Sequence, residues 1–502
     1  MLMGAAGGMA GLSSAARAMG LPAGTRATGP DLPPASPGAR VLVLGAGIAG
    51  LTAAYELERV GYRCTVVEAR GRAGGRNYTI RDGSRVPHRD GTQVARFASG
   101  DYFNAGPARL PSFHRNVIGY CQRFGVALEP FVFQNHNAFV VDDAVMNGQA
   151  LRHRRVNYSV AALADELVAK SMTSAAARAS LSPDEFGALE ELLRSRSLGD
   201  EAVTRMGFAR MPDASLASPE YDPPVPTREL IKSPGLGAAL AAYDRVDWQA
   251  TLMQPVGGMD RIVDGFLRHL RSPVLTGTEV AAVSQSEDGV EVAVRQRGAS
   301  DVRVLRADAV VVTLPLPILC QIGFDCSNGF ARAMARGAER YAATSKMAWP
   351  ARRRFWEEDE GVYGGASILS GKPMQYWYPS AGFGSKTGVM LGCYNTGENG
   401  RAWAAMSRAE QVAASRRYGE RMHPAFGKEV GEPVAIDWID QPYSRGGWGY
   451  IADDMDEGGT YATLRRREGR VVLAGDYLSQ LTGWQEGAIL SAYTAIEQLS
   501  PG

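Results

Sequence analysis

The sequence is sparing with the residues on which many protein chemistries depend. Its 502 residues hold five cysteines, Cys64, Cys121, Cys320, Cys326 and Cys393, which are scattered and never form a C-x-x-C arrangement. That spacing suggests neither a disulfide framework nor a zinc site, so no metal is expected and the thiols are expected to be mostly buried and inert. No run of about 18 apolar residues occurs, so no membrane-spanning helix is expected. Charge of either sign is also not in excess: 54 Lys+Arg face 53 Asp+Glu, leaving +1. Such a balance offers no general attraction for nucleic acid or an anionic membrane, and the expected partner is a small molecule. No internal repeat occurs.

The remaining composition, 45% hydrophobic and 21% charged, is that of an ordinary globular protein with room for two or three domains. The opening MLMGAAGGMAGLSSAARAMG is weakly apolar and Ala/Gly-rich without preceding basic residues, and reads either as the remainder of an export signal or as a tail. Location is therefore left open between cytoplasmic and exported. Five prolines between Pro22 and Pro37 make a linker, and the folded protein is expected to start near Arg40.

RVLVLGAGIAGLTAAYELERVGYRCTVVEA reads as a βαβ unit. A buried strand, Val41 to Leu44, meets a glycine turn, then a helix with Leu51, Ala54, Tyr55 and Leu57 on one stripe, then a strand ending at Glu68. Further strands are expected at EVAAVSQSEDGVEVAVRQ and ADAVVVTLPLPIL, and a strand-to-helix passage at GRVVLAGDYL and GWQEGAILSAYTAIEQL. SKMAWPARRRFW, MQYWYP and GVMLGCY read as strands of a second sheet. Between these lies a helical insertion from about Val156 to Ala250, with Ser182, Pro183 and Glu185 forming a capping box and Phe186, Leu189 and Leu193 one face.

The chemistry begins at GAGIAG. Gly45, Gly47 and Gly50 fall on the turn between strand and helix, where absent side chains permit a tight bend, approach of a pyrophosphate and close helix packing. Glu68, eighteen residues after Gly50, ends the second strand, where a carboxylate accepts the ribose hydroxyls and would repel a 2′-phosphate. In EARGRAGGRNYT, Arg72 and Arg76 bracket Gly74 and Gly75, a second positively charged, backbone-accessible segment suited to a larger cofactor.

E-x-x-x-R-x-G-G-R-x-x-T after G-x-G-x-x-G resembles the flavin-dependent amine oxidase superfamily, and AGDYLSQLTGWQEGA resembles its C-terminal flavin segment. The resemblance implies an α/β fold: a Rossmann-like FAD-binding domain of the GR2 type, a mixed-sheet substrate domain and a helical insertion. Residues 40–100, 255–325 and 440–500 would form the first, 101–130 and 326–439 the second, and 131–254 the third, with 1–39 as tail and linker. It implies noncovalent FAD held by Gly45, Gly47, Ala49, Gly50, Glu68, Ala69, Arg70, Gly75, Arg76, Gly106, Ala108, Arg109, Val280, Gly475, Asp476, Gly483, Trp484 and Ala488. The helix opening near Glu486 would aim its N-terminal dipole at the flavin.

FNAGPARLPSFHR, Phe103 to Arg115, resembles the L-amino-acid oxidase branch. There Arg109 would form a two-pronged ion pair with the substrate α-carboxylate, for which a planar guanidinium is better suited than a lysine. By local match, Tyr394 would donate to the same carboxylate, Trp484 would wall the flavin face, the Gly483 carbonyl would accept from the substrate amine, and Lys346 would hold a water near flavin N5. The expected reaction is oxidative deamination of an L-amino acid by dioxygen to a 2-oxo acid, ammonia and hydrogen peroxide. Trp377, Tyr376 and the residues around Thr396 and Trp484 suggest a cavity for large apolar or aromatic side chains. None of the six histidines, His88, His114, His136, His153, His269 and His423, matches the base that some members use, and His114 reads as structural. Trp448 stands where monoamine oxidases attach flavin through cysteine. A homodimer or larger homo-oligomer is expected. An amino-acid 2-monooxygenase and a monoamine or polyamine oxidase remain alternatives.

Overall fold

A computed structural model describes residues 29–175, 178, 180–196, 208–210, 220–233, 246–452, 454, 456 and 458–499. The fold is α/β, organised around a five-stranded sheet and a seven-stranded sheet. The uninterrupted apolar run at the first strand, Arg40–Leu44, suits the centre of a parallel sheet, where both faces are covered. It pairs in parallel with Arg63–Val67 on one side and Ala309–Val312 on the other. Val274–Leu275 and Val471–Leu473 complete the edges, also parallel. Five strands from remote parts of the chain thus form one sheet.

One face is covered by the helices Ile48–Arg59 and Gln485–Glu497, with Arg115–Arg123 and Arg261–His269 packed beside them around Leu51, Val117, Phe266 and Ile489. The other meets the helix Asn328–Glu339 and the sheet of Val302–Ala307, Val290–Gln296, Thr278–Gln285 and Gly323–Phe324. Packing extends ahead of Arg40: Leu32 lies against the first core, and the Ala35 N–H donates to Val60 O at 2.7 Å.

The seven-stranded sheet runs Leu151–Arg152, Phe139–Val141, Gly365–Leu369, Gln375–Tyr378, Gly388–Thr396, Thr344–Ala351 and Val434–Asp437. It is mixed, since Gly365–Leu369 pairs in parallel with Phe139–Val141 while the other pairs are antiparallel. The strand read through RRRFW stops at Ala351, and Phe355–Glu358 is a short helix. In the insertion, the helix His153–Met172 begins ahead of Val156, and Pro183–Arg196 carries the expected capping box, with Glu185 N–H to Ser182 Oγ at 3.3 Å and Ser182 N–H to Glu185 Oε2 at 2.9 Å. Phe186 and Leu189 are half-buried, whereas the side chain of Leu193 lies outside the described residues. Among the described residues all five cysteines are free; most are buried, as expected, namely Cys64, Cys121 and Cys393, while Cys320 is exposed and Cys326 half-exposed. No helix of the described residues is long and apolar enough to cross a membrane.

The glycine turn lets the helix pack closely on its strand. A Cβ at Gly50 would lie 2.0 Å from Gly45 O, so the helix Ile48–Arg59 can approach its strand only through a glycine. Gly50→Ala is expected to destabilise the protein by about 1–3 kcal/mol through overpacking. Thermal unfolding of the purified variant checks this; a variant as stable as the parent contradicts it.

Candidate active site

An elongated cavity of about 470 Å³ runs from the glycine turn to the mixed sheet. At its first end Gly45 has φ +104°, and a Cβ there would meet Thr313 Oγ1 at 2.6 Å. Gly47, by contrast, faces open space. Gly47 is the N-cap of Ile48–Arg59, which has no side-chain cap and no acidic residue in its first turn. Its leading amides therefore face a cavity that Gly45, Gly47, Ile48 and Ala49 line, the arrangement that receives a phosphate. Glu68 is buried at the cavity wall, where Oε2 accepts from Ala46 N–H at 3.0 Å and Oε1 from Arg70 N–H at 2.8 Å. Arg70 turns to Ser444 Oγ, 2.8 Å away, and Ala69 and Val280 continue the wall.

Midway, Arg76 forms a bidentate ion pair with Asp476, including Nη1 to Oδ2 at 3.3 Å, and also donates to Gly447 O. Burial opposes the Arg76 charge, but Asp476, aided by Tyr341 and Tyr477, outweighs it and leaves the guanidinium pKa above its usual value. Asp476 Oδ2 also accepts from Gly483 N–H at 3.0 Å, which holds the turn before Trp484. Gly75, Gly475, Gly483, Trp484 and Ala488 line the same cavity. Arg72 does not: its guanidinium stacks 3.8 Å from the Tyr78 ring centroid. Gly106 lines the cavity at a point where a Cβ would lie 1.8 Å from Arg76 O. Gly50, Ala108 and Arg109 lie off its wall: Gly50 is buried under the turn, Ala108 lines a separate cavity of about 340 Å³, and Arg109 lines neither cavity.

At the far end the strands Thr344–Ala351 and Gly388–Thr396 place Lys346 opposite Tyr394. Lys346 is buried, and Nζ donates to Gly106 O at 2.5 Å and Asn104 O at 3.2 Å. Burial, then the Arg109 charge, lowers its pKa from 10.5 to about 7. Burial raises the Tyr394 pKa, with Arg109 acting in the opposite direction. Trp438, whose Nε1–H donates to Ala105 O at 2.9 Å, and Trp448 close the wall with Trp484.

Arg109 is 8% exposed and sits among four rings. Its Cζ lies 4.7 Å from the Phe133 centroid, 5.3 Å from Trp248, 5.4 Å from Trp377 and 5.2 Å from Trp484. Phe133 and Trp248 were missed in the sequence because they sit in and around the insertion, outside any motif. His114 is also drawn in: its ring stands edge-on to Trp484 at 4.9 Å, and burial, then Arg109, lowers its pKa to about 3. Tyr376 is a correction. Strand alternation turns it to the opposite face from Trp377, where its hydroxyl bonds Ser415. Thr396 lines neither cavity and stands at the start of the helix Gly397–Ala404.

Together, the parallel sheet, the glycine turn and the buried Glu68 carboxylate at the end of the second strand have the arrangement of a dinucleotide-binding protein. The chain belongs to the family described as flavin containing amine oxidoreductase, whose model matches residues 48–499. It is 28% identical over 500 residues to the flavin-dependent L-tryptophan oxidase RebO of Lentzea aerocolonigenes, covering 92% of this chain and 98% of that protein. It is also 28% identical over 483 residues to an L-amino-acid oxidase of Siganus canaliculatus, covering 92% and 85%. In fold it resembles the cyclohexylamine oxidase of Brevibacterium oxydans, with a TM-score of 0.59 at 18% identity, covering 91% and 98%. The protein is a flavin oxidoreductase. The open space at Gly47, the uncapped helix start and the Arg76–Asp476 pair suit that cofactor's phosphates and polyol.

Lys346 gives a pH signature. Between its folded pKa of about 7 and its ordinary value of 10.5, the unfolded chain holds a proton that the folded chain does not. This residue therefore makes stability rise with pH across that window, and the gain is lost as pH falls through about 7. Lys346→Met is expected to stabilise the protein most near pH 6 and progressively less toward pH 10, measured by melting at about those two values. A difference that does not shrink with rising pH contradicts the assignment.

Proposed function

We propose that the protein is an oxidase of L-amino acids with noncovalently bound FAD, favouring large apolar or aromatic side chains. The observation that carries this reading is the buried Arg109 guanidinium within a wall of aromatic rings, close enough to Lys346 and Tyr394 to shift both. A site in which one buried cation lowers the pKa of a second favours an incoming anion. An α-carboxylate supplies one, and a guanidinium fork aligns it in two directions.

When bound, the flavin supplies a two-electron acceptor that takes hydride from the substrate Cα and passes the electrons to dioxygen. The protein's own contribution is placement. Arg109 and the Tyr394 hydroxyl clamp the carboxylate, Trp484 limits the substrate from one side, and the Gly483 carbonyl accepts from the amine. This converts orientation entropy into binding. Lys346 sits at the same end, its Nζ donating to two carbonyls, and with a pKa near 7 it can take or release a proton at neutral pH. Phe133, Trp248 and Trp377 form the apolar surround that a large side chain would displace water from. A relative that bears the name of an L-tryptophan oxidase is consistent with this preference. Trp448, at the place where some family members use cysteine, supports noncovalent attachment.

We also propose that residues 40–100, 255–325 and 440–500 form the FAD-binding domain, 101–130 and 326–439 the substrate domain, and 131–254 a helical domain. Support comes from the five strands of the all-parallel sheet, which all fall in the first set.

Anaerobic addition of L-amino acids is expected to bleach the flavin, and air to yield 2-oxo acid, ammonia and peroxide. Amide and carbon dioxide would instead mark a 2-monooxygenase, and equal turnover of phenethylamine and phenylalanine an amine oxidase. Arg109→Ala is expected to raise KM by about two orders of magnitude with flavin retained. An unchanged KM removes Arg109 from the carboxylate site.

A further inference from the structure

The helix Arg115–Arg123 starts without a local cap. Its N-cap residue, His114, makes no capping hydrogen bond, and its first turn contains no acidic side chain. The His114 ring is instead packed edge-on against Phe113 and Trp484, at 4.7 and 4.9 Å. Leading amides of a buried helix need acceptors. They are met from the other end of the chain. Glu486 Oε1 accepts from Asn116 N–H at 3.0 Å and from Asn116 Nδ2–H at 2.7 Å, and Oε2 accepts from Val117 N–H at 2.9 Å. The carboxylate is 2% exposed. Burial raises its pKa, and the three donors act to lower it. The partial positive charge of the helix start provides further stabilisation of the ionised form.

The position of this contact gives it a consequence beyond packing. Glu486 directly follows Trp484 and Gln485, both on the cavity wall. Gln485 is fixed on its other side, where Oε1 accepts from Asn77 Nδ2–H at 2.8 Å. The segment that Glu486 grips leads back through His114 to Arg109, whose Cζ is 5.2 Å from the Trp484 ring. One carboxylate therefore ties the start of the C-terminal helix to the segment carrying the site arginine.

We propose that Glu486 is a positioning residue: by capping Arg115–Arg123 from a different helix, it sets the separation of Arg109 from the Trp484 wall and so the alignment of a carboxylate ligand. This rests on the reading of Arg109 as the carboxylate-binding residue. Glutamine at 486 keeps the shape but presents an amide N–H to at least one donor, which breaks the cap and loosens both segments at once. Asn116→Ala is milder, removing one of three hydrogen bonds and leaving both backbone contacts.

The test uses the purified holoenzymes, with benzoate as a non-reacting carboxylate whose binding is read from the flavin absorption spectrum. In Glu486→Gln, benzoate Kd and amino-acid KM are expected to rise together by about ten-fold, as for loss of charge-assisted hydrogen bonds, with kcat and flavin content nearly unchanged. Asn116→Ala should show the same pattern at about three-fold, and carries the test if Glu486→Gln does not fold. The amide hydrogens of Asn116 and Val117 should exchange faster in Glu486→Gln. Unchanged benzoate Kd and KM alongside a lower melting temperature overturn the proposal, because the contact would then be structural alone. A parent enzyme that binds neither benzoate nor amino acids would instead overturn the reading of Arg109.

Discussion

The ion pair between Arg76 and Asp476 joins residues 400 positions apart, and the cofactor cavity exists only where they meet. Asp476 is buried, and its charge left alone there would be strongly destabilising, so the C-terminal segment is incomplete without the N-terminal glycine segment. The pair also orders its surroundings. Arg76 reaches the Gly447 carbonyl and Asp476 the Gly483 amide, which brings Trp448 and Trp484 to the same wall. The strand Val471–Leu473 makes this docking part of the central sheet, because it pairs beside Ala309–Val312. Formation of this cavity and global folding are therefore coupled through the same few residues.

The opposite end of the cavity is governed by a different constraint, positive charge in a dry setting. Lys346 is held by two backbone carbonyls, and Arg109 is surrounded by ring faces. Aromatic faces stabilise a guanidinium through their quadrupoles while leaving its in-plane N–H groups directed elsewhere. The same rings exclude water, which strengthens any electrostatic contact made within them.

Much of the fold could be read in advance, for reasons that particular residues make clear. Gly45, Gly50 and Glu68 act locally, through a turn, a close approach and two backbone hydrogen bonds, so their spacing carries their meaning. The capping box at Ser182 and Glu185 is equally local. Arg76 and Asp476 were legible as separate motif residues, but their pairing was not. Phe133 and Trp248 could not be picked out, because an aromatic in an insertion has no sequence mark distinguishing a site wall from a core. Ala108 and Arg72 sit within recognisable segments and yet face away from the flavin cavity, since a motif constrains the path of the backbone more tightly than each side chain's direction.

The mixed sheet separates what the chain alone determined from what tertiary structure decided. The amino acids of GVMLGCY and MQYWYP determined strands, through their β-branched and aromatic content. Which side chains faced the site depended on register and irregularity. In Gln375–Tyr378 plain alternation sends Trp377 toward Arg109 and Tyr376 into the opposite core. In Gly388–Thr396 the register against Thr344–Ala351 shifts at Gly392, where a Cβ would meet Trp349 Cδ1 at 2.3 Å. That bulge puts Leu391 and Tyr394 on one face and Cys393 on the other, and so delivers the Tyr394 ring to the cavity. A one-residue slip inverts every side chain of a strand, so facing is settled only when the neighbouring strand is in place.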